Sequence, residues 1–430
     1  MNENTDLIII GAGPAGLMAA KTAAKSGLKV ILIEKNKDFN QIRRACSAQF
    51  ILDDGYENEF IKLENNKIIF TKNKFSVNYT GPLVDVKNKY YKSPNGHRIH
   101  FALPNQKTFA FKFNKQKLLK DLYEECINCG VDVRLSTLAT NGTDNNNFVS
   151  VDLKDMNTKR SYVITSKKLI IAEGANAHIA ELFNFNKSRI YFATALVGKY
   201  IIENITGIEP NSWNLFYGAK YFSNSPVIIG PSLYGDSTFE VTISGSSKTK
   251  PGAIFEKVIN DSPLKDNFKN AKLIDKQGCA VKAFSSLKEP YNNNVLVIGD
   301  SAAFVEVEVQ GAFMCGYHAG KAIHEELNGK HGFKHYTKWW KNSFEFNSDE
   351  YLRVSQGYAL VPTYTDDELD YLFGLAENTI LEGTYSQYKT PKLIWGEILK
   401  HKNKIKNEKP EIYNKIKKMN TMTLTDTFNN

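Results

Sequence analysis

The sequence contains no run of apolar residues close to the ~20 needed to span a membrane. It has only five cysteines, an odd and scattered set, which argues against a disulfide framework and favours a reducing compartment. The chain enters its first apolar segment at residue 7, and no secretory signal precedes it. We therefore expect a cytoplasmic protein, with peripheral attachment to a membrane as an alternative.

Metal-binding and redox cysteine motifs are also scarce. Cys126 and Cys129 form a C-x-x-C pair near the end of a predicted helix, but no second pair and no histidine stands nearby. We predict core or boundary thiols at these positions and expect no metal site.

Acidic residues are fewer than basic ones, 46 against 55, which gives a formal net charge of +9. This excess favours an acidic partner, such as a phosphate-bearing substrate, a carrier or an anionic membrane surface. We expect no nucleic-acid partner. The length of 430 residues exceeds one ordinary hydrophobic core, so two closely joined domains are predicted.

The segment from Asp6 to Glu34 has the order strand, tight turn, helix, strand. In such a unit the first glycine permits the turn, the second lets a pyrophosphate approach the backbone, and the third lets helix and strand pack closely. The free N–H groups of the helix N-terminus then face the phosphates. The residues predicted to form this site are Gly11, Gly13, Pro14, Ala15 and Gly16.

The second strand of this unit ends at Glu34, whose carboxylate can accept hydrogen bonds from an adenosine ribose. The polar loop that follows begins at Lys35 and carries Arg43 and Arg44. These arginines could meet the pyrophosphate of the cofactor or be solvated basic side chains. The whole pattern predicts a dinucleotide-binding domain of the α/β class.

Two later apolar strands also end in glycine motifs. Their last residues are Ala172, Glu173 and Gly174 in the first, and Gly299 and Asp300 in the second. The first strand is expected to return the chain to the nucleotide sheet. The carboxylate of Asp300, at the end of a strand, is placed to hold a polyol.

A helix rich in small residues follows the Gly299-Asp300 motif. Its N-terminus, expected around Gly311 and Ala312, could face a pyrimidine-like carbonyl that carries negative charge. His318 lies inside this helix. We predict a packed or solvent-edge histidine there rather than a catalytic base.

Residues 57–113 and 186–274 alternate short strand-like segments with polar turns, the pattern of antiparallel sheet. The second stretch is rich in aromatic and β-branched residues, and one face of its sheet could cover a ligand. We predict a discontinuous nucleotide domain at 1–185 and 275–330, substrate-covering antiparallel segments at 57–113 and 186–274, and a helical region at 331–430.

The helical region has two notable compositions. Residues 335–395 are unusually aromatic, which is typical either of an aromatic-lined lid or of a packed C-terminal subdomain. Residues 389–418 are rich in lysine with a helical apolar period. A basic amphipathic helix of this kind could lie on anionic lipid, or be a solvated helix stabilised by i,i+4 pairs.

In the order and spacing of its three glycine motifs, the chain resembles FAD-dependent oxidoreductases of the p-hydroxybenzoate-hydroxylase-like fold. Within them it is most similar to the geranylgeranyl reductase family, over residues 4–325. The resemblance implies an FAD-binding Rossmann-like domain with an inserted antiparallel-sheet substrate domain, followed here by a helical C-terminal region. It also implies that residues 11–16 hold the FAD pyrophosphate, Glu34 the adenosine ribose and Asp300 the ribityl chain.

Further site residues follow from the same resemblance. Lys115 falls where the family often has an arginine that reaches the cofactor. Arg44 and Cys46 fall where prenyl reductases often carry a cysteine close to the flavin. Glu173 stands in place of the usual aspartate, and residues 306–312 replace a loop that usually contains proline and a Gly-Glu-Gly-Ile sequence.

The function implied is transfer of hydride from N5 of reduced FAD to an unsaturated, apolar, prenyl-like substrate, with Cys46 and Tyr234 as candidate catalytic groups beside it. A second GxGxxG motif is absent, so NAD(P)H or a reduced electron-carrier protein is expected to act as a transient donor. Two alternatives remain open. One is a monooxygenase or halogenase that uses a flavin hydroperoxide, and the other is a non-catalytic lipid-carrier or scaffold protein of the same fold.

Overall fold

The computed structural model describes residues 5–41, 43–52, 56–235, 237–348, 363–382 and 389–419. Its strands are β1 (Leu7–Ile10), β2 (Val30–Ile33), β3 (Gln49–Ile51), β4 (Ile61–Glu64), β5 (Lys67–Phe70), β6 (Phe75–Asn78), β7 (Leu83–Val86), β8 (Asn88–Lys92), β9 (Arg98–Ala102), β10 (Ala110–Phe113), β11 (Asp132–Arg134), β12 (Thr137–Asp144), β13 (Val149–Asp155), β14 (Ser161–Ser166), β15 (Lys168–Ile171), β16 (Tyr191–Glu203), β17 (Ser212–Phe216), β18 (Val227–Pro231), β19 (Thr238–Gly245), β20 (Lys272–Phe284), β21 (Tyr291–Asn292), β22 (Val295–Val297) and β23 (Ile380–Leu381). Its helices are α1 (Pro14–Lys25), α2 (Lys115–Asn128), α3 (His178–Leu182), α4 (Pro251–Asp261), α5 (Glu308–Leu327), α6 (Gly332–Ser343), α7 (Asp366–Ala376), α8 (Thr390–Leu399), α9 (Lys402–Glu408) and α10 (Pro410–Met419).

The nucleotide sheet has the strand order β11-β2-β1-β15-β22-β21. Its pairs are parallel, apart from the edge strand β21 on β22. Ile8 of the central strand β1 lies opposite Ile31 on one side and Leu169 on the other. Apart from Lys168 at the start of β15, the central strands are buried along their whole length, as expected for a parallel sheet covered on both faces. The α/β class is confirmed, and both later apolar strands, β15 and β22, return to this sheet.

Glycines fix the position of α1 between β1 and α5. A Cβ added to Gly16 would lie 1.8 Å from the carbonyl oxygen of Gly11, and one added to Gly316 of α5 would lie 2.3 Å from the carbonyl oxygen of Ala15. Both distances are far below van der Waals contact, so a side chain at either glycine would push the backbones apart. The close approach therefore sets where the N-terminus of α1 points.

The predicted antiparallel stretch 57–113 is divided among three sheets rather than forming one. Strands β4, β5 and β6 form a sheet of their own, β7 and β10 pair with β3, and β8 and β9 join a large sheet of order β20-β16-β19-β18-β17-β8-β9-β23. The division follows the apolar side chains. Phe70 and Val77 pack into the nucleotide core, whereas Ile99 and Phe101 pack into a second core.

The large sheet extends beyond the predicted boundary at residue 275. Strand β20 runs to Phe284 and pairs with β16 along nearly its whole length. The chain returns to the nucleotide sheet at β21 and β22, which places the boundary after 284. The reason is the long β16–β20 pairing, which no short-range sequence signal marks.

The aromatic residues at the start of the C-terminal region belong to the core. Tyr336 and Trp340 of α6 are buried in the nucleotide core, and Phe373 of α7 is buried in the second core. The described part of 335–395 therefore favours a packed subdomain over a lid. The rest of that range lies outside the described residues.

The lysine-rich helices α8 to α10 turn their apolar side chains inward. Ile394, Ile405 and Ile412 are buried in the second core against the outer part of the large sheet. The apolar face is therefore engaged within the protein, which favours the solvated-helix interpretation. None of the described helices is long and apolar enough to cross a membrane.

The helix crossing gives a direct test of the fold. We expect Gly316→Ala to destabilise the protein by about 1–3 kcal/mol, because its Cβ overpacks the contact with α1. The matched control is Gly396→Ala in α8, where a Cβ meets no atom of the described residues within 4 Å. A gain of about 0.5–1 kcal/mol is expected there, since alanine is the better helix former. Urea unfolding measures both, and equal losses would contradict the account.

Candidate cofactor and substrate site

The glycine turn between β1 and α1 leaves an open cradle at the helix N-terminus. A Cβ added to Gly13 meets no atom of the described residues within 4 Å. Gly13 is the N-cap of α1, and the N–H groups of Gly13, Ala15 and Gly16 have no acceptor within the helix. Backbone donors, the positive end of the helix dipole and free space thus coincide, which fits a pyrophosphate.

Glu34 closes the adenosine side of this cradle. One of its carboxylate oxygens, Oε1, accepts from the N–H of Asn36 at 2.9 Å and from its Nδ2 at 2.6 Å. The other, Oε2, accepts from the N–H of Ala12 at 2.9 Å. A carboxylate offers about four acceptor positions, so one remains for a ribose hydroxyl. Lys35 is exposed beside it, and its predicted contact with the cofactor stays a prediction.

Arg44 joins the second and third glycine motifs. Its Nη1 lies 3.5 Å from the position of a Cβ on Gly174, and its Nη2 lies 3.8 Å from Oδ2 of Asp300. Burial opposes the charge of the guanidinium most strongly, but Asp300, Cys279, Glu306 and Cys46 together outweigh it and raise the pKa of Arg44. Arg43, by contrast, is exposed and pairs with Asp275 of β20. Of the two predicted arginines, Arg44 is therefore the fixed cation between the motifs.

Asp300 also caps the helix that follows it. Its Oδ1 accepts from the N–H of Val307 at 3.0 Å, directly before α5. Next to it, the hydroxyl of Ser301 donates to the carbonyl oxygen of Gly174 at 3.0 Å. The two motifs are thus one rigid unit, in which Oδ2 of Asp300 faces Arg44. This arrangement fits a polyol ligand.

Arg189 contacts the same loop, and no sequence motif indicated this. It donates to the carbonyl oxygens of Ser285 at 2.6 Å, Ser301 at 2.9 Å and Ala303 at 2.6 Å. Burial lowers the pKa of Arg189 to about 10. Its partners lie about a hundred residues away in the chain, so no local motif could have indicated the contact.

Glu173 contacts the start of a short helix. Its Oε1 accepts from the N–H of Ala180 at 3.0 Å, so its side chain caps α3. Burial raises the pKa of Glu173, although these backbone hydrogen bonds act against the shift. The structure thus gives Glu173 a capping role, and its predicted contact with the cofactor stays a prediction. Ala172 serves packing, since its carbonyl oxygen would lie 2.5 Å from a Cβ on Gly11.

The helix after Asp300 begins earlier than predicted. α5 starts at Glu308, so Gly311 and Ala312 lie within its first turns rather than at its N-terminus. A Cβ on Gly311 would lie 2.9 Å from the ring of Phe344. The glycine is thus required for packing, and the free N–H groups belong to the residues before it. The predicted role of Gly311 at the helix start is corrected accordingly.

Cys46 lies half-buried in the loop before β3, close to a second thiol. The Sγ of Cys279, in β20, lies 3.7 Å from the carbonyl oxygen of Ala45. Burial raises the pKa of Cys279, while the nearby charges of Arg44 and Lys115 lower it. The structure therefore places Arg44, Cys46 and Lys115 near one another and near Cys279. Their roles toward cofactor and substrate stay predictions.

A buried charge cluster, formed by Lys112 of β10, Lys199 of β16 and Glu240 of β19, supports this loop. Lys112 Nζ donates to Glu240 and, at 2.7 Å, to the carbonyl oxygen of Ser47. Lys199 Nζ donates to the carbonyl oxygen of Cys46 at 3.1 Å and lies 3.3 Å from Glu240 Oε1. Burial lowers the pKa of Lys112 to about 8, although Glu240 raises it. Two cations and one anion thus fix the backbone carbonyls of Cys46 and Ser47.

Three other sequence-selected side chains lie away from this region. Tyr234, predicted beside the substrate, is 59% exposed in the turn between β18 and β19, so that placement is not supported. His318 stacks on Trp339 with ring centroids 4.0 Å apart, and burial lowers its pKa to about 3, as fits a packed histidine. Cys126 is a core thiol that donates to the carbonyl oxygen of Leu17.

The buried charge cluster can be tested by removing its anion. Glu240→Gln leaves Lys112 and Lys199 without a buried counter-charge and is expected to destabilise the fold by about 3–5 kcal/mol. The control is Glu209→Gln, which removes an ion pair to Arg98 that is about half exposed. It is expected to cost at most about 1 kcal/mol. Urea midpoints measure both, and a small loss for Glu240→Gln would show that the cluster does not hold the loop.

Comparison with known proteins agrees with this site. A family model described as an FAD binding domain matches residues 4–197. The digeranylgeranylglycerophospholipid reductase of Methanosarcina acetivorans is 25% identical over 328 residues, which cover 76% of this chain and 75% of the relative. The protein of the same name from Methanocaldococcus jannaschii is 24% identical over 386 residues, covering 86% of this chain and 90% of the relative.

A solved structure shows the same fold over nearly the whole chain. The geranylgeranyl bacteriochlorophyll reductase-like protein of Thermoplasma acidophilum matches with a TM-score of 0.73 and 17% identity. The match covers 97% of this chain and 100% of that protein. The described cradle, acidic strand end and Gly-Asp motif fit FAD. The chain therefore has the fold of an FAD-dependent oxidoreductase and is similar to the geranylgeranyl reductase family.

Proposed function

We propose that this protein reduces carbon–carbon double bonds in the polyprenyl chain of a phosphate-bearing lipid. The relatives named above are digeranylgeranylglycerophospholipid reductases, which supports a substrate that is apolar along its chain and anionic at its head. Their reductase names give no support to the oxygen-activating alternative. The intact acidic and Gly-Asp elements of the cofactor site argue against a non-catalytic scaffold.

The proposal depends most on a half-buried apolar strip that starts beside Cys46. In the β16–β20 pairing, Val197 lies opposite Cys279 and Ala195 opposite Val281 on one face of the sheet, while Leu196 and Ala280 point to the other face. These residues are neither fully buried nor exposed, which is unusual in the middle of a long strand pair. Small and aliphatic side chains at this exposure suit contact with a flexible hydrocarbon chain.

We assign the cofactor contacts to the residues that the geometry favours. The first turn of α1 would hold the FAD pyrophosphate, Glu34 the ribose, and Asp300 with Arg44 the region beyond it. When bound, the flavin supplies hydride chemistry. The chain itself orients cofactor and substrate, and the buried charge cluster keeps the Cys46 loop rigid between them.

The electron donor is proposed to bind transiently. The sequence has a single GxGxxG motif, at residues 11–16, and this motif is used by the FAD cradle. Either NAD(P)H or a reduced electron-carrier protein would therefore approach the flavin without a dinucleotide domain of its own.

Contact with an anionic membrane is proposed to be electrostatic. The apolar side chains of α9 and α10 are buried, but the outer surface of these helices carries exposed lysines. These are Lys402, Lys404, Lys406, Lys409 and Lys417. Such charges could hold the protein near lipid headgroups, with an attraction of about 1 kcal/mol per residue that salt weakens.

Product analysis tests the proposed function. The FAD-loaded protein, reduced with dithionite without oxygen, is incubated with a geranylgeranyl-bearing phospholipid and, as a control, with its fully saturated analogue. Mass spectrometry is expected to show two added hydrogens per reduced double bond in the first lipid and no change in the second. Unchanged geranylgeranyl lipid, with oxygen uptake stimulated by it in air, would contradict the proposal.

The cradle itself gives a separate prediction. Gly13→Ala places a methyl group where the pyrophosphate is expected, so FAD affinity should fall at least about tenfold, or 1.4 kcal/mol. Because the added Cβ meets no atom of the described residues, the stability of the FAD-free protein should change by less than about 0.5 kcal/mol. Fluorescence titration with FAD and thermal unfolding measure the two effects. Unchanged FAD affinity would place the cofactor elsewhere.

A further inference from the structure

The loop between Asp300 and α5 carries a carboxylic acid that no role described above explains. Glu308 is the first residue of α5, and its Oε2 is shielded from solvent with no hydrogen-bond partner among the described residues. A glutamate at a helix N-terminus normally accepts hydrogen bonds from free N–H groups there. At this helix, however, the N–H of Val307 donates its hydrogen bond to Asp300 and not to Glu308.

The backbone around this acid is strained. Val305 has a φ of +57° and Glu308 a φ of +56°, values that L-residues rarely adopt. Such conformations cost of the order of 1–3 kcal/mol and cluster at functional sites. The carboxyl of Glu308 in this loop is close enough to Asp300 and Glu306 for their charges to act on it.

Glu308 also lies where the two halves of the protein meet. Lys89, from β8 of the large sheet, acts on its carboxyl through charge, and Tyr56, from the nucleotide domain, acts on it through a side-chain hydrogen bond. Lys89 is itself buried and donates to the hydroxyl of Thr390 at 3.2 Å. The acid therefore stands between the cofactor-binding loop and the sheet that is proposed to cover the substrate.

Its surroundings favour the protonated form. Burial, then the carboxylate of Glu306 and that of Asp300, raise the pKa of Glu308 to about 8, against Lys89 and Tyr56, which lower it. At neutral pH the group is thus a carboxylic acid with a proton to give, and its pKa is close to the operating pH, which favours general acid catalysis.

We propose that Glu308 is the general acid that protonates the substrate when its double bond is reduced, an inference that rests on the proposed function. Reduction of a double bond adds a hydride to one carbon and a proton to the other. The reduced flavin, which is oxidised, supplies the hydride. The O–H bond of Glu308 breaks as the new C–H bond forms, and its carboxylate regains a proton from solvent before the next turnover.

The test compares three variants of the FAD-loaded protein. Glu308→Gln keeps the shape of the side chain but has no acidic proton, and turnover of the geranylgeranyl lipid should fall about 10²- to 10⁴-fold. Glu308→Asp keeps an acid at a shifted position and should be intermediate. Glu326→Gln, near the other end of α5, should retain full turnover. FAD affinity and reduction by dithionite should be unchanged in all three.

Two readouts separate a proton donor from a structural residue. Wild-type turnover should fall as the pH rises through about 8, since only the protonated acid donates. The residual turnover of Glu308→Gln should not show this fall with pH. Infrared spectra of the FAD-free protein at pH 7 should show a protonated carboxyl band that Glu308→Gln loses and Glu308→Asp shifts.

The outcomes distinguish the two proposals. If the wild-type protein leaves the lipid unchanged, the proposed function fails and this inference with it. If the wild type reduces the lipid and Glu308→Gln does so equally fast, the inference alone is overturned. An ionised Glu308 at pH 7 in the infrared spectrum would also overturn it.

Discussion

The arrangement of the site depends on a buried ionic contact between sheets. Lys112, Lys199 and Glu240 come from three strands in two sheets, and the two lysines donate to the backbone carbonyls of Ser47 and Cys46. Burying charge is costly unless it is paired and hydrogen-bonded, and here each cation has both an anion and a carbonyl partner. The loop before β3 is therefore held against the large sheet by groups that cannot move independently.

Around this contact, the cofactor side and the substrate side are built from different kinds of backbone structure. The cofactor side consists of close backbone approaches, in which Gly11, Gly16 and Gly316 exclude side chains and so fix the N-terminus of α1. The substrate side consists of a long strand pair whose half-buried small residues leave room for an apolar chain. Arg44, Cys46 and Asp300 lie where the two meet. A rigid cradle beside an adaptable apolar surface is a reasonable design for a cofactor of fixed shape and a flexible substrate.

Local sequence signals predicted the parts of the molecule that are local in space. The strand-turn-helix at 7–25, Glu34 at the end of β2, and Asp300 at the start of the α5 loop are all set by residues within a few turns of each other, and each lies where expected. The packed state of His318 was also predicted from a local feature, its position inside the helix that follows Gly299 and Asp300. Each of these elements is determined by a feature within the motif itself, which is a glycine, a helix dipole or a strand end.

The features that sequence did not predict depend on contacts between distant segments. Cys279 joins Cys46 because β20 runs on to Phe284, and Arg189 reaches the Ser301 loop across about a hundred residues. The capping role of Glu173 depends on where α3 begins, which its own motif does not show. The exposure of Tyr234 depends on the course of the β18–β19 turn, which nothing in its neighbours shows.

Single-turnover oxidation of the flavin by lipid tests the central claim most directly. The FAD-loaded protein is reduced without oxygen, mixed with the geranylgeranyl phospholipid, and followed by flavin absorbance. We predict that the flavin is reoxidised only by the unsaturated lipid, with one double bond lost for each flavin oxidised. A flavin that stays reduced with this lipid but reoxidises rapidly in air when the lipid is present would contradict the account.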